Sequence, residues 1–369
     1  MPDETPRFAR RVRSKLRQEA HDLLQPGLPS VQLMWPIGPQ VPDDARVQEV
    51  LDLCMRIGEV LMSSGESVDE TTHVMMQIAA ASGLSAVDVD ITFTSITMCC
   101  HRGMAATPVT SMRLVQYRSL DLTRLLAVGR IIDRLEAGAV EVRGAATELS
   151  EAVSSRHPYP RWVATIGWAG LAASIAVLLG GGVITGVAAF GVTATIDRIG
   201  RILNRRGLPA FFQQIVGGAL ATGATVALFG SGVFPPGTRP SLVIAATITV
   251  LLSGLSLVGT GQDAISGYYV TAAGRAVEIA LLSAGLLVGV VMGLRVGLEF
   301  APSLEVAGEL PGVGRFGLSI VAAAVAASCY ALAGYAPARS LVAAGIAGAA
   351  GWGTYGVPVQ LAAIGPVPS

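Results

Sequence analysis

The sequence predicts a mainly α protein, in which a polytopic helical membrane bundle of about seven transmembrane helices follows an N-terminal cytosolic α+β domain. Of its 369 residues, 51% are hydrophobic and only 14% are charged, and the mean hydropathy is +0.57. Soluble domains carry roughly 25% charged residues. The charges are also uneven, because residues 1–161 hold 17 of the 26 basic and 20 of the 26 acidic residues. The rest of the chain therefore has the composition of a membrane domain, and the boundary lies between Pro158 and Arg161.

Residues 1–44 are predicted to be a basic amphipathic segment and a Pro-rich linker. The segment Arg7–Leu24 can form one amphipathic helix with Phe8, Val12, Leu16 and Leu23 on its apolar side. Two interpretations stay open: a helix resting on anionic lipid, or a disordered basic tail. The prolines between Pro26 and Pro42 exclude regular structure there. The first 30 positions contain no apolar run, so we expect no secretory signal peptide.

Residues 45–160 are predicted to form the cytosolic α+β domain. Helical periodicity from Ala45 to Leu61, followed by a new helix after the break at 63–67, predicts two packed helices. Near-alternation of apolar and polar residues over Ala86–Met98 predicts a strand. The remaining predicted elements are further strands at Cys99–His101 and Met112–Tyr117 and two helices at Leu120–Ala137 and Val140–Ser154.

No metal site, cofactor, nucleic-acid partner or enzymatic activity is predicted. Cys54, Cys99, Cys100 and Cys329 form no CxxC pair and are expected to be reduced thiols. His73 with Cys99, Cys100 and His101 suggests a metal site, but consecutive strand residues point to opposite faces and do not converge on one ion. The sequence contains no G-x-S-x-G or Walker motif.

A hydrolase is the alternative that the N-terminal domain raises. Ser64, Ser67, Asp69 and His73 are close enough in sequence to suggest a nucleophile with a base. A helix start explains these residues more simply, with Ser67 as the N-cap and Glu70 as the third helical residue.

Seven hydrophobic segments follow Arg161, each near the roughly 20 residues that cross a bilayer. Short turns containing Gly and Pro separate them. Because seven apolar segments follow one another in this way, no polar face is left for water. The predicted segments are Trp162–Leu179, Val183–Ile199, Leu208–Phe229, Ser241–Val258, Ala276–Leu294, Phe316–Ala336 and Leu341–Ile364.

The distribution of basic residues predicts the orientation. The loop between the second and third segments carries Arg198, Arg201, Arg205 and Arg206, the turn at 180–182 carries none, and the long fifth-to-sixth loop carries Glu299, Glu305 and Glu309. Because positive loops stay inside, we expect a cytosolic N-terminal domain and, with seven crossings, an external C-terminus. Reporter fusions at Ser231 and Ser369 that behave as cytosolic would contradict this.

The stretch Ser253–Glu278, which reads SGLSLVGTGQDAISGYYVTAAGRAVE, is the candidate functional segment. Its glycines weaken the helix, and broken helices at membrane depth occur where they line a cavity. Asp263, Arg275 and Glu278 stand at the edges of apolar segments, where ionisable groups pair with one another or conduct protons. An ordinary cytosolic loop with solvated charges remains the alternative.

Four motifs in register give the chain a resemblance to the threonine/serine exporter family. They are LMSSGESVDET at Leu61–Thr71, VDITFTSIT at Val89–Thr97, GLPAFFQQIVGG at Gly207–Gly218, and the series Gln262, Asp263, Ser266, Gly267, Thr271, Arg275 and Glu278. The resemblance implies a secondary transporter, not an enzyme, that exports small hydroxy amino acids from the cytosol of a bacterium and is coupled to the proton gradient. It also makes the last series the substrate-binding or proton-coupling residues. In the N-terminal domain it singles out Ser64, Gly65, Glu66, Asp90, Thr92 and Thr97.

Within this interpretation Asp263 is the candidate proton carrier, with Arg275 or Glu278 as its partner or that of the substrate, and Gln262 and Ser266 are candidates to bind the amino acid. Family members have two sets of five helices, so residues 161–298 correspond to a first repeat. Residues 299–369 correspond to an extracytoplasmic loop and the start of a second repeat. The expected partners are the lipid bilayer, the amino-acid substrate, and a second-half chain or a homo-oligomer. Export of another metabolite such as a dicarboxylate, and a membrane-anchored sensor or assembly subunit, are the alternatives.

Overall fold

The computed structural model describes residues 43–102, 106–115, 120–232, 238–252, 254–300 and 316–363. Several predictions lie wholly or partly outside these residues, among them the basic segment at Arg7–Leu24, the Pro-rich linker, and the acidic loop with Glu305 and Glu309. Within them, the prediction of a mainly α membrane protein with a small N-terminal sheet is confirmed.

The N-terminal domain consists of two helices, a three-stranded antiparallel sheet in the order β1-β2-β3, and two more helices. Its apolar core is formed by side chains such as Val50, Ile57, Met75, Ile96 and Leu149. The elements are α1 (Asp44–Ser63), α2 (Val68–Ala81), β1 (Val87–Thr92), β2 (Ser95–Cys100), β3 (Val109–Leu114), α3 (Leu122–Glu136) and α4 (Val142–Ser154).

One detail of this domain follows the sequence and one departs from it. The predicted N-cap is correct, since the Ser67 hydroxyl accepts a hydrogen bond from the Glu70 backbone N–H at 3.3 Å. The prediction of one strand over Ala86–Met98 is wrong. The chain turns back at Phe93–Thr94, so that Thr92 pairs with Ser95 and Asp90 with Thr97 in a hairpin.

Eight helices form the membrane part within the described residues. They are α5 (Arg161–Leu178), α6 (Val183–Arg205), α7 (Ala210–Gly230), α8 (Pro240–Leu251), α9 (Gly254–Ile265), α10 (Tyr269–Phe300), α11 (Phe316–Ala333) and α12 (Ala338–Ala363).

Five of these helices are long and apolar enough to cross a membrane: α5, α6, α7, α10 as far as Gly297, and α11. The helices α8 and α9 make a sixth candidate if they are counted as one span, bent by 49°. The fourth predicted segment is thus broken in two, as the glycines near 254–261 indicate. The seventh forms α12, which is not among the candidate spans.

Glycine allows the two most closely packed helices, α7 and α10, to touch through their backbones. A Cβ atom at Gly218 of α7 would lie 2.5 Å from the Leu286 carbonyl oxygen, and one at Gly289 of α10 would lie 2.0 Å from the Ile215 carbonyl oxygen. No side chain fits at either position, which is typical of small-residue contacts between membrane helices. The other spans pack around α5, which contacts α6, α8 and α11.

Candidate functional site

The predicted kink lies against the N-terminal domain. The helix α9 ends at Ile265, Gly267 adopts a left-handed conformation (φ +90°) that reverses the chain, and α10 begins at Tyr269. The reversal brings Asp263 of α9 beside Arg275 of α10. Two turns of the N-terminal domain contact this region. The α1–α2 turn and the start of α2 bind the pair, and the β1–β2 turn at Phe93–Thr94 contacts Thr271 and Gly274.

Asp263 is fully buried at the junction between the membrane helices and the N-terminal domain, and it has one partner in each of these two parts. Its Oδ2 lies 2.6 Å from Nη1 of Arg275, which is 4% exposed. Its Oδ1 accepts a hydrogen bond of 2.9 Å from the backbone N–H of Val68, the first residue of α2. A carboxylate at a helix N-terminus satisfies an otherwise unpaired N–H and interacts favourably with the helix dipole. The alternative of a solvated loop is therefore wrong for Asp263.

Arg275 completes the link to the α1–α2 turn. Its Nη2 donates to the backbone carbonyl of Glu66 at 3.2 Å. A Cβ atom on Gly259 of α9 would lie 3.3 Å from its Nη1, so a larger residue there would press on the guanidinium. A buried charge is costly unless it is paired and hydrogen-bonded. The ion pair and its hydrogen bonds therefore explain how both Asp263 and Arg275 can be buried.

Thr271 makes a second link, to the β-hairpin. Its hydroxyl accepts a hydrogen bond from the Phe93 backbone N–H at 3.0 Å and donates to the Ile91 carbonyl at 3.3 Å. The Phe93 ring lies against Gly274, where a Cβ atom would be 2.9 Å from it. Phe93 has a positive φ of 52°, a strained conformation for a bulky residue that persists only where surrounding contacts hold it.

The other predicted residues divide between this junction and the surface. Ser64 is buried and donates to the Val60 carbonyl at 2.8 Å, and Gly65 (φ +95°) reaches Leu255 of α9. Glu66 takes part through its carbonyl oxygen. Glu278 is half-buried, about one turn beyond Arg275. Gln262, Ser266 and Gly267 are exposed. Asp90, Thr92 and Thr97 lie on the β1–β2 hairpin, where Asp90 and Thr92 are exposed, Thr97 is half-buried, and Thr92 donates to Asp90 at 3.2 Å.

Sequence reasoning missed Val68, Phe93 and Ile91, whose hydrogen bonds to the site all use backbone atoms. Phe93 could have been found only by recognising that the chain turns inside VDITFTSIT. Among the residues that the structure describes, no group of three His, Cys, Asp or Glu side chains could hold a metal ion.

A second contact joins the N-terminal domain to the turn between α11 and α12. Leu122 donates its backbone N–H to the Gly334 carbonyl at 2.9 Å, and the Thr123 hydroxyl donates to the Tyr335 carbonyl. The buried Asp121 carboxylate caps α3 and lies 3.1 Å from Nδ1 of His157, whose ring stacks on Tyr335. The N-terminal domain thus contacts both the kink and the α11–α12 turn.

Comparison with known proteins extends the sequence resemblance. Residues 52–297 match the ThrE family model, which describes threonine/serine exporters. The chain is 38% identical over 341 residues to the probable threonine/serine exporter of Mycobacterium tuberculosis, a match that covers 88% of this chain and 64% of that protein. It is 35% identical over 341 residues to the threonine/serine exporter of Corynebacterium glutamicum, covering 89% and 70%.

A more distant likeness, 24% identity over 247 residues, is to the probable succinate transporter subunit YjjP of Escherichia coli and covers 67% of this chain and 94% of that protein. This chain spans less than two thirds of the length of the mycobacterial relative. No solved structure matches the chain.

Proposed function

Because the chain belongs to the threonine/serine exporter family, we propose that it exports threonine and serine from the cytosol across the cytoplasmic membrane of a bacterium. Its relatives of more than 30% identity carry that name, and its apolar helices fit a membrane transporter. Lipid and a small polar molecule are then its partners. A second-half chain or a second copy is a further proposed partner.

The observation that carries a transport mechanism is the buried Asp263–Arg275 pair at the reversal between the broken span and α10. Protonation of Asp263 would remove the charge that holds Arg275 and weaken the bond to Val68. The junction would then loosen, and α9 could move relative to α10. Asp263 acts as the proton carrier in this proposal and Arg275 as its partner, since ionisable groups within membrane proteins commonly serve proton transfer.

The proposed orientation places the N-terminal domain in the cytosol. The end of the bundle that touches this domain also carries most basic residues of the described spans and turns: Arg161, Arg198, Arg201, Arg205, Arg206 and Arg339. Arg201 near the end of α6 donates to Thr165 near the start of α5 at 2.6 Å, which supports placing these residues at one end. Positive ends of membrane bundles face the cytosol.

Counterflow in vesicles tests the exporter proposal. The full chain is reconstituted in liposomes loaded with unlabelled threonine, and uptake of labelled threonine is followed. We expect uptake that unlabelled threonine or serine outside the vesicles abolishes. Uptake equal to that of protein-free liposomes would overturn the proposal and leave a membrane-anchored sensor or assembly subunit as the better explanation.

Asp263→Asn tests the proton step separately. We expect threonine counterflow to persist, because exchange needs no net proton movement, while accumulation driven by a pH gradient is lost. Asp90→Asn, an exposed carboxylate on the hairpin, is the matched control and should retain both activities. Gradient-driven accumulation by Asp263→Asn at the rate of the unsubstituted chain would remove Asp263 from the mechanism.

Dicarboxylate export is the second candidate, because the likeness to the E. coli succinate transporter subunit covers nearly all of that protein. The same vesicles loaded with succinate distinguish the two substrates. Succinate counterflow without threonine counterflow would favour the second candidate. Gln262→Ala and Ser266→Ala, tested alongside, show whether these exposed residues affect substrate affinity.

A further inference from the structure

A cavity of about 440 Å³, with a mainly apolar lining and one polar wall, lies between α5, α6, α7 and α8, apart from the kink. Its volume falls within the range of small-molecule sites. The apolar wall includes Trp168, Leu220 and Leu251, and the polar wall is formed by Thr193, Asp197, Arg201, Asn204, Gln213 and Gln214. The two glutamines belong to the motif GLPAFFQQIVGG, to which neither the kink nor the N-terminal domain gives a role.

The charged part of this wall is electrically neutral. Oδ2 of Asp197 lies 2.6 Å from Nη2 of Arg201, and both side chains are partly exposed to the cavity. Thr165 holds the same nitrogen of Arg201 at 2.6 Å. Such a pair offers an acceptor for an ammonium group and a donor for a carboxylate. A zwitterion can therefore bind without adding net charge, whereas a dicarboxylate would bring two uncompensated negative charges.

Two buried polar atoms of the cavity wall have no hydrogen-bond partner among the described residues: Oγ1 of Thr193 and Oε1 of Gln214. Thr193 is only 4% exposed. Buried polar groups are rarely left unsatisfied in native proteins, so each one calls for an explanation. Both atoms have almost no accessible surface in this structure, so a ligand hydroxyl satisfies them only after the two side chains turn toward the cavity, by donating to the Gln214 amide oxygen and accepting from the Thr193 hydroxyl.

Gln214 also connects the cavity to the broken span. Its Nε2 donates to the backbone carbonyl of Leu251, the last residue of α8, at 3.2 Å. The helix stops there, so this carbonyl lacks the continuing helical partner that it would otherwise have. A ligand bound to the amide oxygen of Gln214 would therefore contact the side chain whose Nε2 is hydrogen-bonded to the last carbonyl of α8.

Taking the proposed export function as its premise, we propose that this cavity is the binding site for the hydroxy amino acid. Arg201 binds the carboxylate, Asp197 binds the ammonium group, and Thr193 with Gln214 selects the side-chain hydroxyl. The kink residues then couple transport to protons and to the N-terminal domain but do not hold the substrate.

Cysteine protection tests occupancy without relying on flux. Gly200 lines the cavity, and a Cβ atom there would meet no atom within 4 Å, so Gly200→Cys introduces a thiol without a clash. The background carries Cys99→Ser and Cys329→Ala. Cys54 stays unreactive because burial raises its pKa to about 12, and burial raises the pKa of Cys100 as well.

We expect saturating threonine or serine to slow labelling of Gly200→Cys by a polar thiol reagent, and succinate to have no effect. Ile202→Cys, on the same helix but exposed and outside the cavity wall, should label equally with and without threonine. Lack of protection at Gly200→Cys, or equal protection by succinate, would overturn the proposal.

Hydroxyl selection is tested by Thr193→Val, which keeps the shape of the side chain. We expect the KM for threonine counterflow to rise about tenfold, the effect of one lost hydrogen bond to a buried group, with little change for 2-aminobutyrate, which lacks the hydroxyl. Thr249→Val on α8 is the control, since Thr249 is exposed and bonds only within its own helix.

Different results would contradict the exporter proposal and the assignment of the cavity as the substrate site. Absence of threonine counterflow in the unsubstituted chain contradicts the exporter function. Normal counterflow with an unchanged ratio of threonine to 2-aminobutyrate KM in Thr193→Val contradicts the cavity assignment alone. Size-exclusion chromatography in detergent shows that each variant is folded before its kinetics are compared.

Discussion

At the scale of single residues, the molecule is distinguished by one buried ion pair that joins two parts of the chain far apart in sequence. Asp263 accepts from Val68, which is 195 positions away, and Arg275 donates to Glu66, which is 209 positions away. Burial of two charges is not stabilising in itself, because desolvation offsets much of the attraction. The two residues nevertheless depend on each other, because removing one member leaves the other charged and buried.

A double-substitution cycle measures how strongly the contributions of Asp263 and Arg275 to stability depend on each other. Asp263→Leu and Arg275→Met should each lower the stability of the junction by about 3–5 kcal/mol, since each strands an uncompensated charge. The double variant should be less destabilised than either single variant, because apolar groups then replace both charges. Thermal unfolding in detergent and protease sensitivity of the α1–α2 turn supply the measurement. Additive losses would show that the two side chains do not act as a pair.

At the scale of elements, the close approach of α7 and α10 depends on glycine. Gly218 and Gly289 each face a backbone carbonyl of the opposite helix. The α7–α10 contact fixes the span that carries Thr271 and Arg275, so its packing also positions the kink residues at the other end of α10.

Gly289→Leu should separate the two helices and cost at least about 3 kcal/mol, the upper range for overpacking a tight interface. The matched control is Gly191→Leu on α6, where a Cβ atom would meet nothing within 4 Å. That variant should unfold at the same temperature as the unsubstituted chain or slightly above it, because leucine has the higher helix propensity. Equal melting temperatures for both variants would contradict the predicted packing.

The elements also show what the sequence could and could not predict. The helices, the Ser67 cap and the break in the fourth span follow from periodicity, capping residues and glycines. The hairpin turn at Phe93–Thr94 was missed because it contains no Gly, Asn or Pro, although the apolar positions shift from odd numbers up to Phe93 to even numbers from Ile96. Contacts with Thr271 and Gly274 hold that turn, and such long-range contacts cannot be predicted from local sequence.

The two candidate sites, the kink and the cavity, also differ in how far the sequence predicted them. The glycines and ionisable residues around 254–278 identified Asp263 and Arg275 as residues of interest, and the resemblance to the exporter family added Thr271. Neither identified the N-terminal domain as their partner. The cavity between α5 and α8 was not predicted at all. Its polar residues come from separate helices, and only packing brings Thr193, Asp197 and Gln214 together.

At the scale of the whole molecule, the N-terminal domain contacts the membrane part at two places, the kink and the α11–α12 turn. Both contacts require these turns to lie on the same side of the membrane as the domain. The opposite end of the bundle contains the α5–α6 and α7–α8 connections.

Cysteine accessibility in intact cells checks this arrangement. Ser231→Cys, just after α7, should react with a membrane-impermeant thiol reagent in intact cells. Arg206→Cys, in the α6–α7 turn, should react only after the membrane is permeabilised, because positively charged turns lie inside. Reaction of Arg206→Cys in intact cells would reverse the proposed orientation.

The helix α10 is longer than a bilayer crossing requires. Its 32 residues rise about 1.5 Å each, or roughly 48 Å in all, against a hydrocarbon layer about 30 Å thick. A span of this length either tilts or extends beyond the hydrocarbon layer, and the excess length lets its first turns, which carry Thr271 and Arg275, reach the N-terminal domain.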